Sequence, residues 1–215
     1  MEKTKKIYEY FYILLITFVS CIISILYHTL SYNTVIPAFF IILIFIIWLW
    51  TKKLSKKTLY FLDILNLLET NLIGYLIIFF VSTSADTMIG ILCGVIIADV
   101  FSFTKSGKNT PNAKVIGNVN TLARLSICLP VPKKQGLSPI IGVGDLIYYS
   151  MIITHSIKYQ GISVGYISFL LILAGQLVNI LFISIIIRKN WYKGFPATLF
   201  PGVFFIAAAL INNWI

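Results

Sequence analysis

Charge is what this chain has least of. Only 11% of its 215 residues are charged, and just seven of those are acidic. With 59% hydrophobic residues and a mean hydropathy of +0.93, that excludes an ordinary soluble domain and points to a polytopic membrane protein. Metal-ligating residues are also scarce. His28 and His155 stand alone at helix ends, and Cys21, Cys93 and Cys128 are too far apart to form a ligand set or a disulfide framework. The cysteines read as structural, and neither a metal nor a cofactor is expected. There is no internal repeat or low-complexity tract.

What is present is apolar length. Seven runs cover about 7–30, 35–50, 61–81, 87–103, 139–157, 163–187 and 195–215. Each comes near the ~17–25 residues that a bilayer-spanning helix needs. The expected fold class is therefore all-α: a helical bundle with about seven transmembrane helices in one domain, 1–215. The basic start resembles the charged region of a signal peptide. The run after it is too long and lacks a small-x-small cleavage site, so a retained membrane helix is expected.

The basic residues set the orientation. With the N-terminus in the cytoplasm, the cytoplasmic segments are the start and the loops after runs two, four and six. They hold 16 of the 17 Lys and Arg, and only Lys158 falls on the other side. This bias explains the net charge of +10 without nucleic acid.

Of the acidic residues, Glu2, Glu9, Asp63 and Asp86 lie at or near run ends, where solvation is expected. Glu69, Asp99 and Asp145 lie inside. A carboxylate at membrane depth costs at least ~2.5 kcal/mol on insertion scales, so each is a functional candidate. Asp99 lies four residues before the end of run four, about 6 Å deep; Asp145 lies six residues after Pro139, about 9 Å deep. Consecutive antiparallel helices would place the two at one level, facing each other. Gly90, Gly94 and Ala98 form a small-residue seam that ends beside Asp99, and Gly142 and Gly144 precede Asp145, so close helix approach is expected there. Two carboxylates in one apolar site tend to hold one proton between them. Such a pair can activate water with one member and protonate a substrate carbonyl with the other.

Gly142-Val143-Gly144-Asp145 matches the motif of the GxGD intramembrane aspartyl proteases, the group of presenilin and signal peptide peptidase. Ala98-Asp99-Val100-Phe101 resembles the family's first aspartate, with Ala98 where tyrosine is usual. Phe195-Pro196-Ala197-Thr198-Leu199-Phe200-Pro201 resembles the Pro-Ala-Leu motif that opens the family's last helix, with Thr198 in place of leucine. The resemblance covers about 87–215. It implies a presenilin-like catalytic core there, with a cytoplasmic loop at 104–138 and three supporting helices in 1–86. It implies Asp99 and Asp145 as the catalytic dyad. Gly142, Gly144, Pro196, Ala197, Thr198 and Leu199 would bind substrate, with Pro196 in the first turn of the last helix. The family fold has nine helices; the seven runs leave its first two without a counterpart.

The implied partners are transmembrane-helix substrates and the lipid bilayer, and the implied location is an integral, multi-pass one. The Ile-, Lys- and Asn-rich composition suggests a microbial cell membrane. In the family, an extended substrate is held by strand addition. The alternation of Leu125, Ile127, Leu129 and Val131 makes 122–132 either such a strand or a loop on the membrane surface. Three alternatives stay open. A type IV prepilin or preflagellin peptidase also uses a GxGD aspartate; a proton-coupled transporter could use Glu69, Asp99 and Asp145 as a relay; a scaffold would use none of them.

Overall fold

The computed structural model describes residues 2–81, 84–104, 106–130, 137–186, 196–212 and 214. The chain is mostly helical. Three long helices come first: α1 (Glu2–Thr29), α2 (Tyr32–Trp50) and α3 (Lys56–Phe80). Then come α4 (Ala85–Ser102), a 3-10 turn (Ser106–Asn109), α5 (Pro111–Gly117) and α6 (Val119–Arg124). A hairpin of β1 (Ser126–Pro130) and β2 (Leu137–Gly142) leads into α7 (Val143–Gln160), α8 (Ile162–Ile186) and α9 (Leu199–Ile211). Four stretches, Ile7–Thr29, Asn33–Trp50, Lys56–Phe80 and Ile162–Ile186, are long and apolar enough to cross a membrane by length and composition.

Local chemistry sets the boundaries. Ser55, Ser84 and Thr110 each accept a backbone N–H three residues ahead and so cap α3, α4 and α5; Pro111 opens α5, where a missing N–H costs nothing. Between α7 and α8 the chain turns at Gly161, whose φ of 92° is open to glycine but strained for other residues.

α7 is the axis of the bundle. Every residue from Tyr148 to Ile157 is buried, as expected of a helix enclosed on all sides. α3, α8 and α1 surround it. A polar hub joins three of these helices. The Asn71 amide oxygen on α3 accepts from Ser20 and Ser24 of α1, at 2.9 and 2.6 Å, and its backbone carbonyl accepts from Ser150 of α7 at 2.8 Å. Gly74 brings α3 and α7 into close approach: a Cβ there would stand 2.5 Å from Ser150 Cβ. α2 packs on α3 and turns Phe40, Ile41, Ile44 and Phe45 outward, a stripe that favours apolar surroundings.

The structure corrects several expectations. The run that begins at Pro139 is not helical from its start. Leu137–Gly142 is a strand, α7 begins at Val143, and Asp145 lies in the first turn of α7 and not two turns in. Residues 104–138 are more than a loop: they hold the 3-10 turn, α5, α6, β1 and the start of β2. In the 122–132 segment, strand is confined to Ser126–Pro130, residues 122–124 are helical, and 131–132 lie outside the described residues. Pro196 precedes α9, which starts at Leu199, so it is not in the helix's first turn. Asp63 is not solvated. It is 8% exposed and accepts the Cys128 N–H of β1 at 2.9 Å, because the hairpin lies over it.

Candidate active site

The two aspartates arrive on different kinds of support. Asp99 sits near the C-terminal end of α4, half-buried. Asp145 sits in the first turn of α7, at the helix's N-terminal end, where negative charge is favoured. Its Oδ2 accepts the Gly142 N–H at 3.1 Å. A Cβ at Gly142 would meet the same oxygen at 3.1 Å, so any side chain there would push the carboxylate aside by a few tenths of an ångström. Among the described residues, nothing lies within 4 Å of such a Cβ at Gly144.

Both carboxylates line one cavity of about 550 Å³ and are near enough for the charge of one to act on the other. Gly142, Gly144, Pro196, Ala197 and Thr198 line it too. Leu199 is not among the lining residues, nor is Glu69, which is buried in α3 with neither carboxylate oxygen hydrogen-bonded among the described residues. The remaining wall is largely apolar: Val95 and Phe103 around α4, Leu122 and Leu125 around α6, Pro139 of β2 and Ile147 of α7.

Thr198 Oγ1 donates to Asp99 Oδ2 at 2.6 Å. Thr198 is the residue before α9, a position where a hydroxyl normally accepts a backbone N–H of the helix. Here it makes no such cap. Next to it, the Ala197 carbonyl accepts from Tyr149 Oη at 3.0 Å and from Asn179 Nδ2 at 2.6 Å. The turn is set against the bundle by two glycines. A Cβ at Gly175 of α8 would collide with the Pro201 backbone, and one at Gly202 of α9 would collide with the Tyr148 hydroxyl and Ile96. Gly202 thus lets α9 fit between α4 and α7. The expected seam on α4 does no such work: Gly90 and Gly94 are exposed, and a methyl at either would meet none of the described residues within 4 Å.

The hairpin that delivers Asp145 is anchored from behind. Asp63 holds the Cys128 N–H, Asn66 Nδ2 donates to the Arg124 carbonyl at 2.9 Å, and the Arg124 guanidinium donates to the carbonyls of Leu49 and Lys52. Burial, aided by the neighbouring Asp63, pushes the Cys128 thiol up to about 12, so it stays protonated. The sequence offered a weak sign of the α8 contribution: Gln176 and Asn179 are amides three apart in the run 163–187. Nothing in the sequence marked Asp63 as an anchor. No protein-family model matches this chain, and neither does any curated protein or solved structure.

Proposed function

We propose that this chain is an intramembrane aspartyl protease of the GxGD type, with Asp99 and Asp145 as its dyad. The observation that carries the proposal is the single cavity that collects both carboxylates and the Pro196-Ala197-Thr198 turn. In this reading seven segments span the bilayer, the N-terminus is cytoplasmic, and the cavity lies toward that side. The charge asymmetry of the loops supports that orientation.

The chemistry follows from one shared proton. The ionised carboxylate takes a proton from water as the oxygen attacks the scissile carbonyl, and the protonated one donates to the carbonyl oxygen. The tetrahedral species then collapses with proton transfer to the leaving amine. A helical substrate hides its carbonyls in its own hydrogen bonds, so it must first unwind. The β1–β2 hairpin, whose second strand borders the cavity from Pro139 to Gly142, offers strand pairing that would hold an extended peptide beside the dyad. The apolar wall suits the side chains of a membrane-embedded peptide.

The test is cleavage of a single-span substrate by purified protein in liposomes. Asp99→Asn and Asp145→Asn should each abolish cleavage while the fold survives, because an amide is nearly isosteric but cannot do the proton work. The double variant should be hardly worse than either single one, since the pair acts as a unit. Full activity in either Asn variant would remove the protease reading and leave the relay or scaffold standing. Cleavage only at the membrane surface would favour the prepilin-peptidase alternative.

A further inference from the structure

Two buried polar side chains outside the dyad converge on one backbone atom, and a third ties them together. Tyr149 of α7 and Asn179 of α8 both donate to the Ala197 carbonyl. Gln176 of α8 closes the set: its Nε2 donates to Tyr149 Oη, and its Oε1 accepts from Asn179 Nδ2 at 3.1 Å. The four bonds form a closed ring through Ala197 O, Tyr149, Gln176 and Asn179. All three side chains are almost wholly buried, at 0%, 1% and 1% exposed in the order Tyr149, Gln176, Asn179.

The ring fixes the amide orientations. Ala197 O and Gln176 Oε1 can only accept, so Asn179 must turn its NH₂ to both of them. Its Oδ1 is then left buried without a partner among the described residues. That is an unfavourable way to bury an amide, and what it secures is both acceptor positions of a single carbonyl. With both used, the peptide plane between Ala197 and Thr198 is held from two sides, and rotating it would break two buried hydrogen bonds. Thr198 carries the hydroxyl that donates to Asp99, and Tyr149 lies one turn beyond Asp145 on the same helix. The ring therefore joins the element bearing one aspartate to the hydroxyl that holds the other.

We infer that Gln176, Asn179 and Tyr149 are positioning residues that set the Thr198 hydroxyl, and through it the Asp99 carboxylate, relative to Asp145. This rests on the protease reading for its consequence in catalysis, though the ring itself does not. Loosening it should reduce the fraction of molecules with an aligned dyad, which lowers kcat and leaves substrate binding in place.

The test combines a mutant cycle with an exchange measurement on the full chain in liposomes. Asn179→Leu should lower kcat about tenfold or more with KM little changed, since small misplacements near reacting groups carry large rate penalties. Tyr149→Phe, which keeps the ring's packing, should do the same if Asn179→Leu does not fold. In a Thr198→Val background either change should have almost no further effect, because its route to Asp99 is already cut; a merely structural role would give losses that multiply. Thr198→Ser should keep the full sensitivity. In parallel, deuterium uptake by the peptide spanning 196–202 should rise in both ring variants. Wild-type kcat in both ring variants, or multiplying losses in the Thr198→Val background, would overturn the inference and leave the dyad intact. Faster exchange in a protein that cleaves nothing even as wild type would overturn the protease reading and leave the ring standing as the device that orders this turn.

Discussion

Thr198 donates its hydroxyl to Asp99 across 2.6 Å, joining the start of α9 to the end of α4 over 99 positions of chain. A threonine at that place would ordinarily cap its own helix. Here the hydroxyl serves a carboxylate, and the first turn of α9 goes without that cap. If the proposed protease reading holds, Thr198→Val should reduce cleavage at least about tenfold and Thr198→Ser should retain most of it, since Thr198 reaches Asp99 through its hydroxyl. Initial rates on one substrate check this; equal rates for Val and Ser would show that the hydroxyl is idle.

The two motif glycines should separate cleanly. Gly142→Ala places a methyl 3.1 Å from the Asp145 carboxylate, whereas Gly144→Ala meets open space. Gly142→Ala should lower kcat by about tenfold or more and Gly144→Ala by much less. A reversed order would mean that Gly144 meets the substrate itself.

Packing glycines should separate in the same way. Gly74→Ala, Gly175→Ala and Gly202→Ala each force a methyl into Ser150, the Pro201 backbone or Tyr148, and should lower the melting temperature. Gly90→Ala and Gly94→Ala meet no described residue and should hold it or raise it, since helix propensity alone adds up to about 1 kcal/mol of stability. Thermal melts in detergent distinguish the two sets.

Activity should be bell-shaped in pH, because only the singly protonated pair can both accept and donate a proton. A rate that rises to a plateau at one extreme would show that one carboxylate suffices.

Cys128 should resist alkylation in the folded protein. Its thiol is 2% exposed and held up to about 12, so at pH 8 almost none is thiolate, the reactive form. Iodoacetamide followed by mass spectrometry should label Cys128 only after denaturation. Asp63→Ala, which frees β1 from α3, should make it reactive in the native state.

The long helices were legible because apolar length is a property of composition: each of the seven runs contains one, whereas the short polar α5 and α6 carry no such mark. The start of α7 was not, because Pro139 to Gly142 is as apolar as the helix it joins, and an apolar run does not mark where strand gives way to helix. Gly90, Gly94 and Ala98 define a face by their spacing, but spacing does not say what lies opposite, and α9 came between α4 and α7. Asp63 looked solvated because it lies near the end of a run; only the hairpin folding back over it buries it. The Asp99, Asp145 and Pro196–Thr198 set was legible by motif. The amides that hold Ala197 were not, because their partner is a backbone carbonyl, which carries no sequence mark.

β2 ends at Gly142 and α7 begins at Val143, with no residue between them, and Asp145 follows two positions later. The Val143 N–H is itself tied to the Leu125 carbonyl just before β1, at 3.0 Å. Such a joint has no slack. A twist applied to the hairpin by a bound strand must appear as rotation of the first turn of α7, and so as a change in where the carboxylate points. Hairpin and carboxylate form one lever, and in the proposed protease the energy of gripping a peptide would be available as torque on the group that cuts it.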